Sequence, residues 1–70
     1  MMPLSMMSTG QETIIKKEGG KEETRRFLEN LGIVTGGTVT VASEKGGNLI
    51  VNVKNSRVAI GRDMANKIMV

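Results

Sequence analysis

The sequence has no cysteine, histidine, tryptophan or tyrosine, and only one proline and one phenylalanine among its 70 residues. Without cysteine there is neither a disulfide staple nor a thiolate metal site. Without histidine the chain lacks the usual general base and the commonest transition-metal ligand, and no serine or threonine can be activated by an imidazole. The missing Trp and Tyr remove the platforms on which single-stranded nucleic acid stacks, and Phe27 is the sole aromatic. No apolar run approaches the roughly 18 residues of a membrane span. The opening MMPLSMMSTG has neither the basic start nor the apolar run of a secretion signal. These absences point to a cytoplasmic chain without membrane insertion that works by binding rather than by catalysis.

What remains is aliphatic and charged. A chain of this size is one small domain, residues 1–70, with residues 1–9 expected to be less ordered, and its stability rests on a compact core of Val, Ile, Leu and Met. The net charge is +3, which raises nucleic acid or an acidic surface as partners. The basic residues are, however, interleaved with seven carboxylates, and no nucleic-acid partner is expected.

Residues 10–18 carry the β-branched pair Ile14 and Ile15 and read as a first strand, broken by Gly19-Gly20. The segment KEETRRFLENL predicts a helix with Phe27, Leu28 and Leu31 as its apolar stripe, acids in its first turn, and Gly32 as its stop. The period then changes to two. Val39 and Val41 share a face, as do Leu49, Val51 and Val53, and then Val58 and Ile60. A flexible loop is expected over Ser43–Asn48 and a tight turn at Asn55-Ser56, with Asn55 in the left-handed region. RDMANK suits one helical turn before a last strand over Ile68–Val70. Such strands bury a common face by curling, with the last strand pairing near the first. The expected fold is mainly β: a small SH3-like antiparallel barrel of about five short strands, with one α-helix between the first two.

Three clusters invite a chemical reading. A phosphate loop runs strand, glycines, helix, so that backbone N–H groups face the anion. Here the order is helix, Gly32, then Gly36-Gly37, which presents the negative helix end; these glycines are joints. Met1, Met2, Met6 and Met7 could bind a soft metal, but with no Cys or His to anchor it they read as an adaptable apolar patch. Glu18, Glu22 and Glu23 suit a helix start better than a cation site. No catalytic, cofactor or metal residue is assigned.

The order of features resembles the FeoA family of small proteins associated with bacterial ferrous iron transport. The resemblance runs from Pro3-Leu4-Ser5 and Gly10 through Gly19-Gly20, Arg26, Leu28 and Leu31-Gly32-Ile33. It continues with Gly36, Val39, Val41, Val51-x-Val53, Val58-Ala59-Ile60, Ala65 and Ile68-x-Val70. It implies an SH3-like fold and a non-enzymatic role as cytoplasmic partner of the FeoB permease, which carries a GTP-binding domain. Fe(II) would be the transported ion, and no cofactor is implied. Four positions depart from the family pattern: Thr35 and Asn48 stand where proline is common, Asn55 where glycine is usual, and Glu18 where an apolar residue is usual. Candidate partner contacts are Arg25, Arg26 and Glu29 on the solvent side of the helix, with Met6 and Met7 nearby in sequence. A homo-oligomer through an aliphatic strand edge stays open. The alternatives are a small-barrel nucleic-acid binder and a stand-alone relative of the C-terminal SH3-like domain of iron-dependent repressors.

Overall fold

A computed structural model describes all 70 residues. The strands are β1 (Glu12–Ile14), β2 (Lys17–Glu18), β3 (Thr38–Lys45), β4 (Asn48–Val53), β5 (Ser56–Gly61) and β6 (Ile68–Met69). Helix α1 (Glu22–Asn30) lies between β2 and β3, and the short α2 (Arg62–Ala65) between β5 and β6. An antiparallel sheet in the order β1-β3-β4-β5 and a two-stranded ribbon β2-β6 make up the mainly β, SH3-like architecture.

The expected first strand is in fact two. Ile14 and Ile15 are adjacent, so on an extended chain they point to opposite faces. Ile14 is 54% exposed and Ile15 1%. The chain changes partners at this corner: Ile15 N–H donates to Gly37 C=O beside β3, and Lys16 N–H donates to Met69 C=O in β6. One segment thereby links the sheet to the ribbon.

The helix ends in a Schellman motif, with Ile33 N–H donating to Leu28 C=O and Gly32 N–H to Glu29 C=O. Gly32 has φ 94°, where a side chain is strained. Leu28 and Ile33, brought together by this motif, are both fully buried. The stripe predicted on the helix keeps Leu28 and Leu31 and loses Phe27. Thr24, Leu28 and Leu31 are the partly or fully buried line, at i, i+4 and i+7, whereas Phe27 is 49% exposed. The helix touches the barrel along a narrow line, and Phe27 lies about 100° of rotation away from it.

The alternating strands bury Val39, Val41, Leu49, Val51, Val53 and Ile60 as expected, with Val58 half-buried. Between Val41 and Ser43 the register slips by a bulge that bends β3. The loop expected over residues 43–48 is shorter: pairing continues to Lys45↔Asn48 and only Gly46-Gly47 turn. The second turn is Lys54-Asn55, since Val53 pairs with Ser56 to keep Val53 inward. Lys54, not Asn55, takes the positive φ of 56°.

The N-terminal segment packs rather than hanging loose. Leu4, on a 3-10 turn over Leu4–Met6, is fully buried. Met2 and Val70 exchange backbone hydrogen bonds of 3.0 and 2.8 Å, and the Ser5 hydroxyl bonds Asn66 Oδ1. Residues 1–3 thus add a third line to the β2–β6 ribbon, through a bridge between Pro3 and Met69.

Candidate functional site

No titratable side chain is fully buried, and no three His, Cys, Asp or Glu side chains converge. The surface offers one charged helix face, one half-buried acid and two shallow grooves.

Arg25, Arg26 and Glu29 are exposed on α1, as its buried line dictates. All three are engaged one helical turn away. Arg26 Nη2 lies 3.4 Å from Glu22 Oε1, and Arg25 Nε lies 4.0 Å from Glu29 Oε1. Exposed i,i+4 pairs of this kind contribute about 0.3–0.5 kcal/mol, so a partner can exchange them at little loss. Met6 and Met7 separate. Met6 is 68% exposed, whereas Met7 packs against the core. Only Met6 therefore offers its thioether outward. Their turn packs on α2, so the five candidate contacts belong to two different elements rather than one continuous stripe.

Glu18 closes β2, and its side chain is only partly exposed. Its Oε1 is buried without a hydrogen-bond partner. Burial pushes its pKa above the ordinary carboxylate range, and the nearby Glu29 carboxylate adds to this. The Arg25 guanidinium and the Thr35 hydroxyl pull it partly back, the hydroxyl without ordinary hydrogen-bond geometry. This acid therefore sits beside the Arg25–Glu29 pair.

One groove, about 360 Å³, lies at the β4–β5 turn and is lined only by Asn52, Lys54, Asn55, Ser56 and Arg57. Arg57 Nε–H donates to Asn52 Oδ1 at 3.1 Å and stiffens its rim. The other, about 500 Å³, is lined by Met1, Lys17, Gly19, Asn66, Lys67 and Met69. Sequence reasoning missed both. Lys17 and Lys67 come together only through the β2–β6 pairing. The available signal was the alternation of residues 17 and 19 against 67 and 69.

Comparisons with known proteins bear on the family and the fold. A match to the FeoA domain family extends over residues 2–70. A protein of Methanocaldococcus jannaschii with the provisional name Fe(2+) transport protein A is 37% identical over 70 residues, covering 100% of this chain and 85% of its own. A crystal structure of an iron uptake regulatory protein, FeoA, superposes with a TM-score of 0.86 at 33% identity, over 96% of this chain and 89% of that one. FeoA of Stenotrophomonas maltophilia, a zinc complex described as a prokaryotic SH3 domain protein, superposes with a TM-score of 0.79 at 23% identity, over 99% and 88% of the two chains. This chain has no helix long and apolar enough to cross a membrane. With a family match that leaves out only the first residue and a barrel that superposes almost end to end, the chain belongs to the FeoA family.

Proposed function

We propose that this protein is a non-catalytic accessory component of ferrous iron uptake. It binds the cytosolic part of an FeoB-type permease bearing a GTP-binding domain, and so supports or regulates Fe(II) transport from the cytoplasmic face. The observation that carries this reading is the family match over residues 2–70. It is supported by a surface built for contact: exchangeable ion pairs on α1, an outward Met6, and two shallow grooves. Fe(II) is the cargo of the partner in this reading, and the barrel contributes a recognition surface.

The test is a titration of the isotopically labelled protein with the purified cytosolic region of the permease. Saturable shifts at low to middle micromolar concentration are expected. No perturbation at several hundred micromolar, with and without guanine nucleotide, overturns the proposal.

A further inference from the structure

We propose that the outer face of the β2–β6 ribbon is the docking groove for an extended acidic segment of the partner, one that carries an apolar side chain. The inference rests on the partner-binding reading above and names the surface that would perform it.

The strand register builds this face. Lys17 pairs with Met69 and Glu18 with Ile68, and Gly19 N–H donates to Lys67 C=O at 2.7 Å. Because side chains alternate across a strand, Ile68 and Val70 point inward and are buried, whereas Lys67 and Met69 point outward beside Lys17 and Gly19. Pro3, bridged to Met69, and Met1 two residues before it continue the same outward row. The result is a concavity of about 500 Å³ with thioethers of Met1 and Met69, an open floor at Gly19, and lysines on its rims. A Cβ at Gly19 would lie 3.3 Å from the Lys67 carbonyl oxygen, so the missing side chain helps to keep the floor open. The stem of Lys67 lies over Gly20, where an added Cβ would come within 3.1 Å of its Cδ.

Charge selects the occupant. The three ion pairs of the chain use Arg25, Arg26 and Arg62, and no carboxylate lies within 4.0 Å of the Lys17 or Lys67 ammonium. The adjoining Lys16 and Lys21 are exposed and equally unpaired. The acid in the ribbon, Glu18, belongs to the inward-facing pair with Ile68. A second copy docked by a twofold axis would set these lysines against one another. A flat bilayer would press on the exposed Met1 and Met6 but leave the concavity unfilled. An acidic strand with an apolar side chain fills the groove with that side chain and places carboxylates at both rims. Methionines suit such a task because their flexible thioethers adapt to the shape presented.

The probe is a short acetylated, amidated peptide of alternating glutamate and leucine, titrated into the labelled protein at low ionic strength. Amide shifts at Lys17, Gly19 and Lys67 and methyl shifts at Met1 and Met69 are expected. Both lysines are exposed, so K17E/K67E should fold normally and bind about tenfold more weakly or worse. Equal shifts from an alternating lysine and leucine peptide, shifts confined to other surfaces, or binding only to phosphatidylglycerol vesicles overturn the proposal. The permease separates this inference from the reading it rests on. If its cytosolic region binds the wild type and K17E/K67E alike, the groove is refuted and the accessory role stands. If the peptide occupies the groove and the permease region never binds, the accessory role is refuted and the groove stands.

Discussion

Replacing Gly32 by alanine tests how the helix is joined to the barrel. Gly32 has φ 94°, and an L-residue in that region is strained by about 1–2 kcal/mol. The added Cβ would also lie 3.3 Å from Val53 Cγ1. Val53 is 1% exposed and cannot swing into solvent, so relieving the contact means moving a packed strand, at about 1 kcal/mol more. The expected loss is therefore about 2–3 kcal/mol. Gly36 is the internal control. Its φ is 90°, but nothing lies within 4 Å of a Cβ built there, so Gly36→Ala should show the backbone strain alone, about 1–2 kcal/mol. At roughly 0.05–0.15 kcal/mol per residue, a domain of this size has a stability of about 4–10 kcal/mol, and both variants remain folded. Urea titrations should give equal slopes and separate midpoints, with Gly32→Ala melting about 4–8 °C below Gly36→Ala. Pairing Gly32→Ala with Val53→Ala removes the clashing methyl, so the double variant should be about 1 kcal/mol more stable than additivity predicts. Equal losses for the two alanine variants, together with additivity in the double variant, would refute the argument.

Three further perturbations probe other parts of the fold. Lys54→Gly should stabilise the protein by about 0.5–1 kcal/mol in urea denaturation, because Lys54 is the sole non-glycine residue at positive φ; a loss of stability would contradict this. Leu4→Ala should cost about 2–5 kcal/mol by thermal melting, since Leu4 is fully buried, and a negligible effect would show that the N-terminal turn contributes nothing to the core. Glu18→Gln should stabilise the protein at neutral pH. The folded-state pKa of Glu18 lies above its ordinary 4.5, so the stability linked to its protonation is complete below that value and is lost as pH rises through the raised pKa. The gap between variant and wild type, measured in urea, should therefore close on going from pH 7 to pH 4, and a gap of constant size would exclude this origin.

Elements with a strong period were legible in the sequence. Val39 and Val41, and Leu49, Val51 and Val53, announce their strands because a half-buried strand has to alternate. Gly32 announces the helix end because few other residues tolerate its φ. What was not legible depends on non-local pairing. Nothing between residues 10 and 18 shows that Ile15 bonds toward β3 while Lys16 bonds to β6, and the division into β1 and β2 follows from that exchange. Composition favours Asn at positive φ and so points to a turn at Asn55-Ser56, whereas the register, set by burying Val53, puts the turn at Lys54-Asn55. Local preference yielded to packing. The exposure of Arg25, Arg26 and Glu29 was legible in the sequence, but their neutralisation by i,i+4 pairing depends on side-chain geometry. For the groove at Lys17 and Lys67 the alternation within each segment is readable, but the pairing that joins the two segments is not.

The separation of arginine from lysine gives the net charge a location. Three of the four arginines pair with glutamates, and the fourth, Arg57, is held by Asn52. No lysine enters an ion pair, and Arg57 keeps its charge beside a neutral amide. The six lysines and Arg57 stand against the unpaired Glu12, Glu18, Glu23 and Asp63 to give the excess of +3, so most of the unpaired positive charge is lysine ammonium free to act on an incoming partner. The difference follows from chemistry: a planar guanidinium holds a carboxylate in fixed geometry, whereas an ammonium on a flexible stem stays hydrated and projects its field outward. Lys16, Lys17 and Lys21 cluster in sequence around the ribbon, and β6 brings Lys67 beside them. A field concentrated there acts mainly on the rate of encounter, which falls as salt screens it, and the apolar contact in the groove then sets how long the partner stays. Raising ionic strength should therefore slow association with an acidic partner far more than it speeds dissociation, whereas truncating Met69 should do the reverse.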